Sequence, residues 1–132
     1  MNYGIVSEHQ LEEIERAIQE ELIANGVACA MLIDTAGNTI AKCDNGKSSY
    51  DTYAFAALAA GNFAAMDSMA SLVGEQEFSL LYHKGENESI HFSKVDDELI
   101  LVSIFGKGVS LGFLRLRAAE LIDRIKKVCN LK

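Results

Sequence analysis

TYAFAALAAGNFAAMDSMASLVG, residues 52–74, carries one charged side chain, Asp67, in a chain that is otherwise rich in charge. Thr52–Met66 gives 15 uncharged residues in a row, dominated by Ala, with Gly and Asn among them. A membrane span needs about 20 strongly apolar residues, so this helix is expected inside protein. Ser49 or Asp51 is its expected N-cap and Gly74 its stop. At about 100° per residue, Phe55, Leu58, Met66, Met69 and Val73 cluster on one side. Ala57, Ala60, Gly61, Ala64, Ser68 and Ser71 cluster on the opposite side. The bulky stripe is expected to fill the surface of the domain's own sheet. The small stripe admits another backbone at close range, either within the domain or from a partner. A partner is the expectation, because a chain of this size has few elements left to cover a second face. Asn62, within the bulky stripe, will need a hydrogen-bond partner if buried.

Outward from this helix, the order of elements reads α-β-β-α-β-β-β-α. Ser7-x-x-Gln10 has the form of a capping box. Leu11, Ile14, Ile18 and Leu22 follow at helical spacing, and Gly26 is the expected stop. Val27–Ile33 is apolar on both alternating faces, as a strand covered on both sides must be. Thr35–Asn38 (TAGN) turns it back into Thr39–Cys43, where Lys42 suits an edge. Strands are expected at Phe78–His83 and Ser89–Val95 around the turn Lys84–Asn87, and at Leu99–Phe105 after the turn Val95–Glu98. Leu99–Phe105 is again apolar on both faces and belongs centrally, beside Val27–Ile33. From Ser110 to Cys129 a seam of Leu111, Leu114, Ala118, Leu121, Ile125 and Val128 marks a last amphipathic helix. The first helix is acidic outside (Glu8, Glu12, Glu13, Glu15, Glu20, Glu21). The last is basic (Arg115, Arg117, Arg124, Lys126, Lys127). The two are expected side by side on one sheet face, which leaves the second helix for the other.

Length and composition fit one α/β (α+β) domain over residues 1–132: 49% hydrophobic, 23% charged, net charge -7. An acidic chain without a basic stripe is a poor binder of nucleic acid or of an anionic membrane. Met1–Gln10 shows no signal-peptide pattern, and three unpaired-looking cysteines (Cys29, Cys43, Cys129) point to a reducing, cytoplasmic setting.

The patterns LIDTAGNTIAKCD, YAFAALAAGNFAAMDSMASLVG and LILVSIFG followed by GVSLGFLRLRAAELIDRI resemble, in order and spacing, the Roadblock/dynein light chain family, and its bacterial MglB-type members in particular. The resemblance runs from about Gln10 to Val128. It implies a profilin-like, five-stranded antiparallel sheet with helices one and three on one face and helix two on the other. It also implies a homodimer in which third strands pair edge to edge and second helices lie together. Family members serve as platforms for Ras-like small GTPases, and MglB-type members regulate the nucleotide cycle of MglA-type GTPases. The interface residues expected on this basis are Ala57, Ala60, Gly61, Ala64, Ser68 and Ser71 of the helix, with Phe78, Leu80 and Tyr82 of the third strand.

No residue set reads as a catalytic, cofactor or metal site. GKGVSLG (Gly106–Gly112) follows a strand and opens a helix, but its G-x-G-x-x-x-G spacing and lack of GKS or GKT leave it a tight turn. His83 and His91, on neighbouring strands, lack a third metal ligand, and His9 belongs on an exposed helix turn. Asp96, Asp97 and Glu98 lack the alternation of a calcium loop. No histidine is placed to activate a cysteine. The function expected is a non-enzymatic homodimeric regulator or scaffold of a Ras-like GTPase, possessing no cofactor. The alternatives are an adaptor for a non-GTPase protein and a small-ligand sensor.

Overall fold

The computed structural model describes residues 6–47, 50–76 and 81–131. Eight elements follow the expected order: α1 (Glu8–Glu21), β1 (Cys29–Asp34), β2 (Thr39–Asp44), α2 (Thr52–Leu72), β3 (Leu81–Lys84), β4 (Glu88–Lys94), β5 (Leu99–Gly106) and α3 (Leu111–Val128). The strands form one antiparallel sheet in the order β2-β1-β5-β4-β3. The two strands apolar on both faces, β1 and β5, are paired centrally from Cys29↔Ile104 to Asp34↔Leu99.

Local chemistry fixes the ends. Ser7 accepts from Gln10 N at 3.1 Å while Gln10 Oε1 accepts from Ser7 N at 2.9 Å, a complete capping box. The first helix stops at Glu21, short of Gly26. A 3-10 turn over Ile23–Asn25 intervenes, and Gly26 takes φ 98° behind it. Asp34 Oδ1 accepts from Ala36 N and Asn38 N at 3.0 and 2.8 Å, which closes the β1–β2 turn. Asp51 caps α2 by accepting from Ala54 N at 3.1 Å, and Ser49, the other candidate, lies outside the described residues. Ser110 caps α3 by accepting from Phe113 N at 3.2 Å. The acidic turn is held from within: Asp96 Oδ1 accepts from Glu98 N and Leu99 N at 2.9 and 2.8 Å.

Alternation along β1 and β5 sends side chains to two separate cores. Ala30, Leu32, Leu99, Leu101 and Phe105 join Ile14, Ile18, Leu114, Leu121 and Ile125 beneath α1 and α3. Cys29, Met31, Ile33, Ile100, Val102 and Ile104 meet Ala56, Ala59, Ala60 and Phe63 of α2. The opposite charges of α1 and α3 do meet. Arg124 reaches Glu20 at 2.8 Å and Glu21 at 3.1 Å, and Arg117 reaches Glu21 at 2.9 Å.

The third strand is described from Leu81, so the expected Phe78 and Leu80 lie outside the described residues. His83 and His91 are on opposite faces, because Tyr82 pairs with His91 and His83 with Ile90; cross-strand partners share a face. The orientation of α2 also departs from the expectation. Its bulky stripe points only in part at the sheet: Phe55 and Met66 pack against that core, but Leu58 is 74% exposed and Val73 70% exposed. The sheet beneath already presents Met31, Ile33, Phe92, Ile100 and Val102. Alanines let the helix settle close over those large side chains, and Phe63 fills the remaining depth.

Candidate protein-interaction surface

The inward direction of α2 falls between the two stripes, roughly a quarter turn from each. Thr52, Ala56, Ala59, Ala60, Phe63 and Ala70 are the buried residues. Ala60, expected on the small outer stripe, is 5% exposed and packs in the sheet core. Ala57, Gly61, Ala64, Ser68 and Ser71 are exposed as a row, and a Cβ built on Gly61 would meet nothing within 4 Å.

Contacts at either side orient the helix over the sheet. Asn62 Nδ2 donates to His83 Nε2 at 3.0 Å, which supplies the partner that Asn62 requires and puts this flank over β3. Phe55, Leu58, Met66, Met69 and Val73 share that flank by helical spacing. On the other flank a Cβ at Gly37 would come within 3.0 Å of Ala57 Cα, so the β1–β2 turn abuts the helix there. Lys42 Nζ donates to Thr52 Oγ1 at 3.3 Å on the same side. β2 and β3 are opposite edges of the sheet. The large side chains therefore face the β3 edge, and the small row runs toward the β2 side and solvent.

The outer surface of α2 is apolar and uncharged. Tyr53 and Leu72 are 83% and 85% exposed, and Leu58, Met69 and Val73 join them. The sole charge of the helix, Asp67, is half-buried. Fully burying one such side chain contributes about 1.5–3 kcal/mol. Large exposed side chains on one helix make this surface the candidate interaction surface.

Among the described residues no group of three or more His, Cys, Asp or Glu is placed to hold a metal ion. Burial, with help from Asp44, pushes the Cys29 thiol up to about 11. Burial likewise raises Cys43 and Cys129, so all three are poor nucleophiles at neutral pH. Cys43 Sγ donates to Glu15 O at 3.3 Å. His91 is buried under α3, 3.1 Å from Ser93 Oγ. Burial and the charge of Arg115 lower it to about 4. His9 is exposed and 2.7 Å from Glu13.

The sequence profile described as Roadblock/LC7 domain matches residues 14–105, which takes in α2 and both central strands. The chain belongs to the Roadblock/LC7 family. Solved structures agree with this assignment. MglB of Myxococcus xanthus is 30% identical with a TM-score of 0.85, over 96% of this chain and 94% of that one. A structure described as MglB with tetrameric arrangement is 23% identical, TM-score 0.87, over 96% and 94%. Profilin IA of Acanthamoeba castellanii, 18% identical with a TM-score of 0.56 over 83% and 93%, shares the fold more loosely. No curated protein matches the chain by sequence. In this Roadblock/LC7 domain, Tyr82 is half-buried and stacks on Phe105 with ring centroids 6.0 Å apart, facing the α1/α3 side. Sequence reasoning misses the exposure of Tyr53, Leu58 and Leu72. Amphipathic contrast, the signal that orients most helices, is nearly absent from an alanine-rich one.

Proposed function

We propose that this Roadblock/LC7 domain is a non-enzymatic, MglB-like homodimeric regulator of a Ras-like small GTPase. The observation that carries the reading is the uncharged, apolar outer surface of α2, in a chain 30% identical to an MglB over nearly its whole length. The helix and the free edge of β3 adjoin through the Asn62–His83 contact. A two-fold partner added at that edge would meet the large flank of α2: Leu58, Met69 and Val73, with Phe55 and Met66 beneath. Self-association has a precedent in the relative solved in a tetrameric arrangement. The row Ala57, Gly61, Ala64, Ser68 and Ser71 would remain open on the dimer as a low-relief platform for the GTPase.

One asymmetric GTPase lying across a two-fold platform blocks the equivalent second position, so one GTPase per dimer is expected. Switch segments are ordered by the γ-phosphate and its magnesium and loosen on hydrolysis, so a surface that touches them prefers the GTP state. Arg115 and Arg117 are on α3, across the sheet from α2, and Arg117 is paired with Glu21. Any acceleration of hydrolysis through the α2 platform would then act by repositioning the GTPase's own residues, not by an arginine finger. The test is titration of Ras-like GTPases from the same cell, each loaded with GDP or a non-hydrolysable GTP analogue. Binding to the GTP form of one of them, abolished by Ala64→Glu, is expected. Equal binding in both states, or binding to none, would leave an adaptor for another protein as the better reading.

A further inference from the structure

On the other side of the sheet, a cleft of about 550 Å³ opens between the β3–β4 turn and the loop that enters α3. Its lining includes Tyr82, Lys84, Ser89, Phe105, Lys107 and Ser110. The start of the 18-residue α3 faces this cleft, and three features there point to an anion. First, Ser110 satisfies only Phe113 N, while the N–H groups of Leu111 and Gly112 have no partner within the helix. The first turn of α3 carries no acidic side chain, and a Cβ at Gly112 would meet nothing within 4 Å, so no side chain screens the positive end of the helix dipole. Second, Ser89 is 8% exposed, lines the cleft, and its hydroxyl has no hydrogen-bond partner among the described residues. A ligand oxygen in the cleft would give this hydroxyl a fixed partner. Third, Lys84 and Lys107 stand at the mouth, neither in an ion pair among the described residues, against the single carboxylate of Glu86. This local excess of positive charge occurs in a chain whose net charge is -7.

We propose that this cleft binds the phosphate group of a small organic phosphate. The phosphate oxygens accept from the Leu111 and Gly112 amides and from the Ser89 hydroxyl, and the two lysines neutralise its charge. The stacked pair Tyr82 and Phe105 walls the space for the organic part. The arrangement differs from a P-loop, since the lysines come from two separate loops. The site is on the opposite face from α2, so it stands or falls independently of the GTPase reading.

The experiment is an amide NMR titration of the full chain with ribose 5-phosphate, ribose and inorganic phosphate. Ribose 5-phosphate is expected to shift the Leu111 and Gly112 amides at millimolar concentration or below, ribose to shift neither, and inorganic phosphate to bind more weakly. Ser89→Ala, which leaves the charge unchanged, is expected to weaken binding about tenfold, and Lys107→Ala to do the same with a reduced salt dependence. Equal affinity for inorganic phosphate would overturn the organic part of the proposal. No shift at either amide, or affinity unchanged in both variants, would overturn all of it. Lys107 is exposed, so that variant reports on binding even if Ser89→Ala disturbs the strand.

Discussion

Beneath α1 and α3, the side chains of Ile14, Ile18, Leu114, Leu121 and Ile125 are completely buried, and the helices are tied to each other by Glu20, Glu21, Arg117 and Arg124. Beneath α2, the inward contacts are mostly alanines with Phe63, while Tyr53, Leu58, Leu72 and Val73 stand in solvent. Two helices close one face of the sheet with their own large residues and put their charges outward. One helix covers the other face and keeps most of its large residues outside. The first face is finished by the chain itself. The second has the composition of an interior on its outer surface, and we read it as a face that other chains complete.

The largest effect that separates the two faces should come from truncating each of them. Leu121→Ala removes a fully buried side chain and is expected to lose about 2–5 kcal/mol, measured by urea unfolding, at any protein concentration. Leu58→Ala should leave the isolated protomer within about 0.5 kcal/mol of the parent. It should lower the unfolding midpoint only where the parent is dimeric, so dilution should erase the difference. A Leu58→Ala loss that persists on dilution would mean that the side chain works within its own protomer.

A somewhat smaller effect belongs to the closed face alone. His91 has a folded pKa of about 4, lowered from 6.5 by burial and by Arg115. Between these values the unfolded chain takes up a proton that the folded chain refuses, so stability is full above about pH 6.5 and falls as the pH drops toward 4. The loss from this group is about 2 kcal/mol at pH 5. Chemical unfolding of the parent and of His91→Gln across pH 4–7 checks it. The variant should lose that part of the slope, and an unchanged slope would place the titration elsewhere.

The closed face was legible in sequence because its signals are redundant. Ser7 and Gln10 mark the start of α1, the seam Leu114–Leu121–Ile125 marks the inward side of α3, and the acidic and basic outer faces announce that the two helices are neighbours. β1 and β5 were legible as central strands from apolar residues on both faces. The orientation of α2 was not, because alanine fits either side of a helix and the two stripes differ in size more than in polarity. What fixes it is tertiary: the bulk of Met31, Ile33 and Phe92 below, the Asn62–His83 contact at one side and the Gly37–Ala57 approach at the other. The separation of His83 from His91 follows from strand parity, because any even hairpin loop between them puts the two on opposite faces.

The central claim is that the β3-side flank of α2 is a dimer seam and the small-residue row beside it a separate platform. Light scattering with sedimentation at micromolar concentration tests this most directly, on the parent, Leu58→Glu and Ala64→Glu. The account predicts about twice the 14.4 kDa chain mass for the parent and for Ala64→Glu. It predicts a monomer for Leu58→Glu, where a charge would have to be desolvated without a partner at a cost of several kcal/mol. A monomeric parent, or a Leu58→Glu protein that stays dimeric with an unchanged unfolding midpoint, would contradict it.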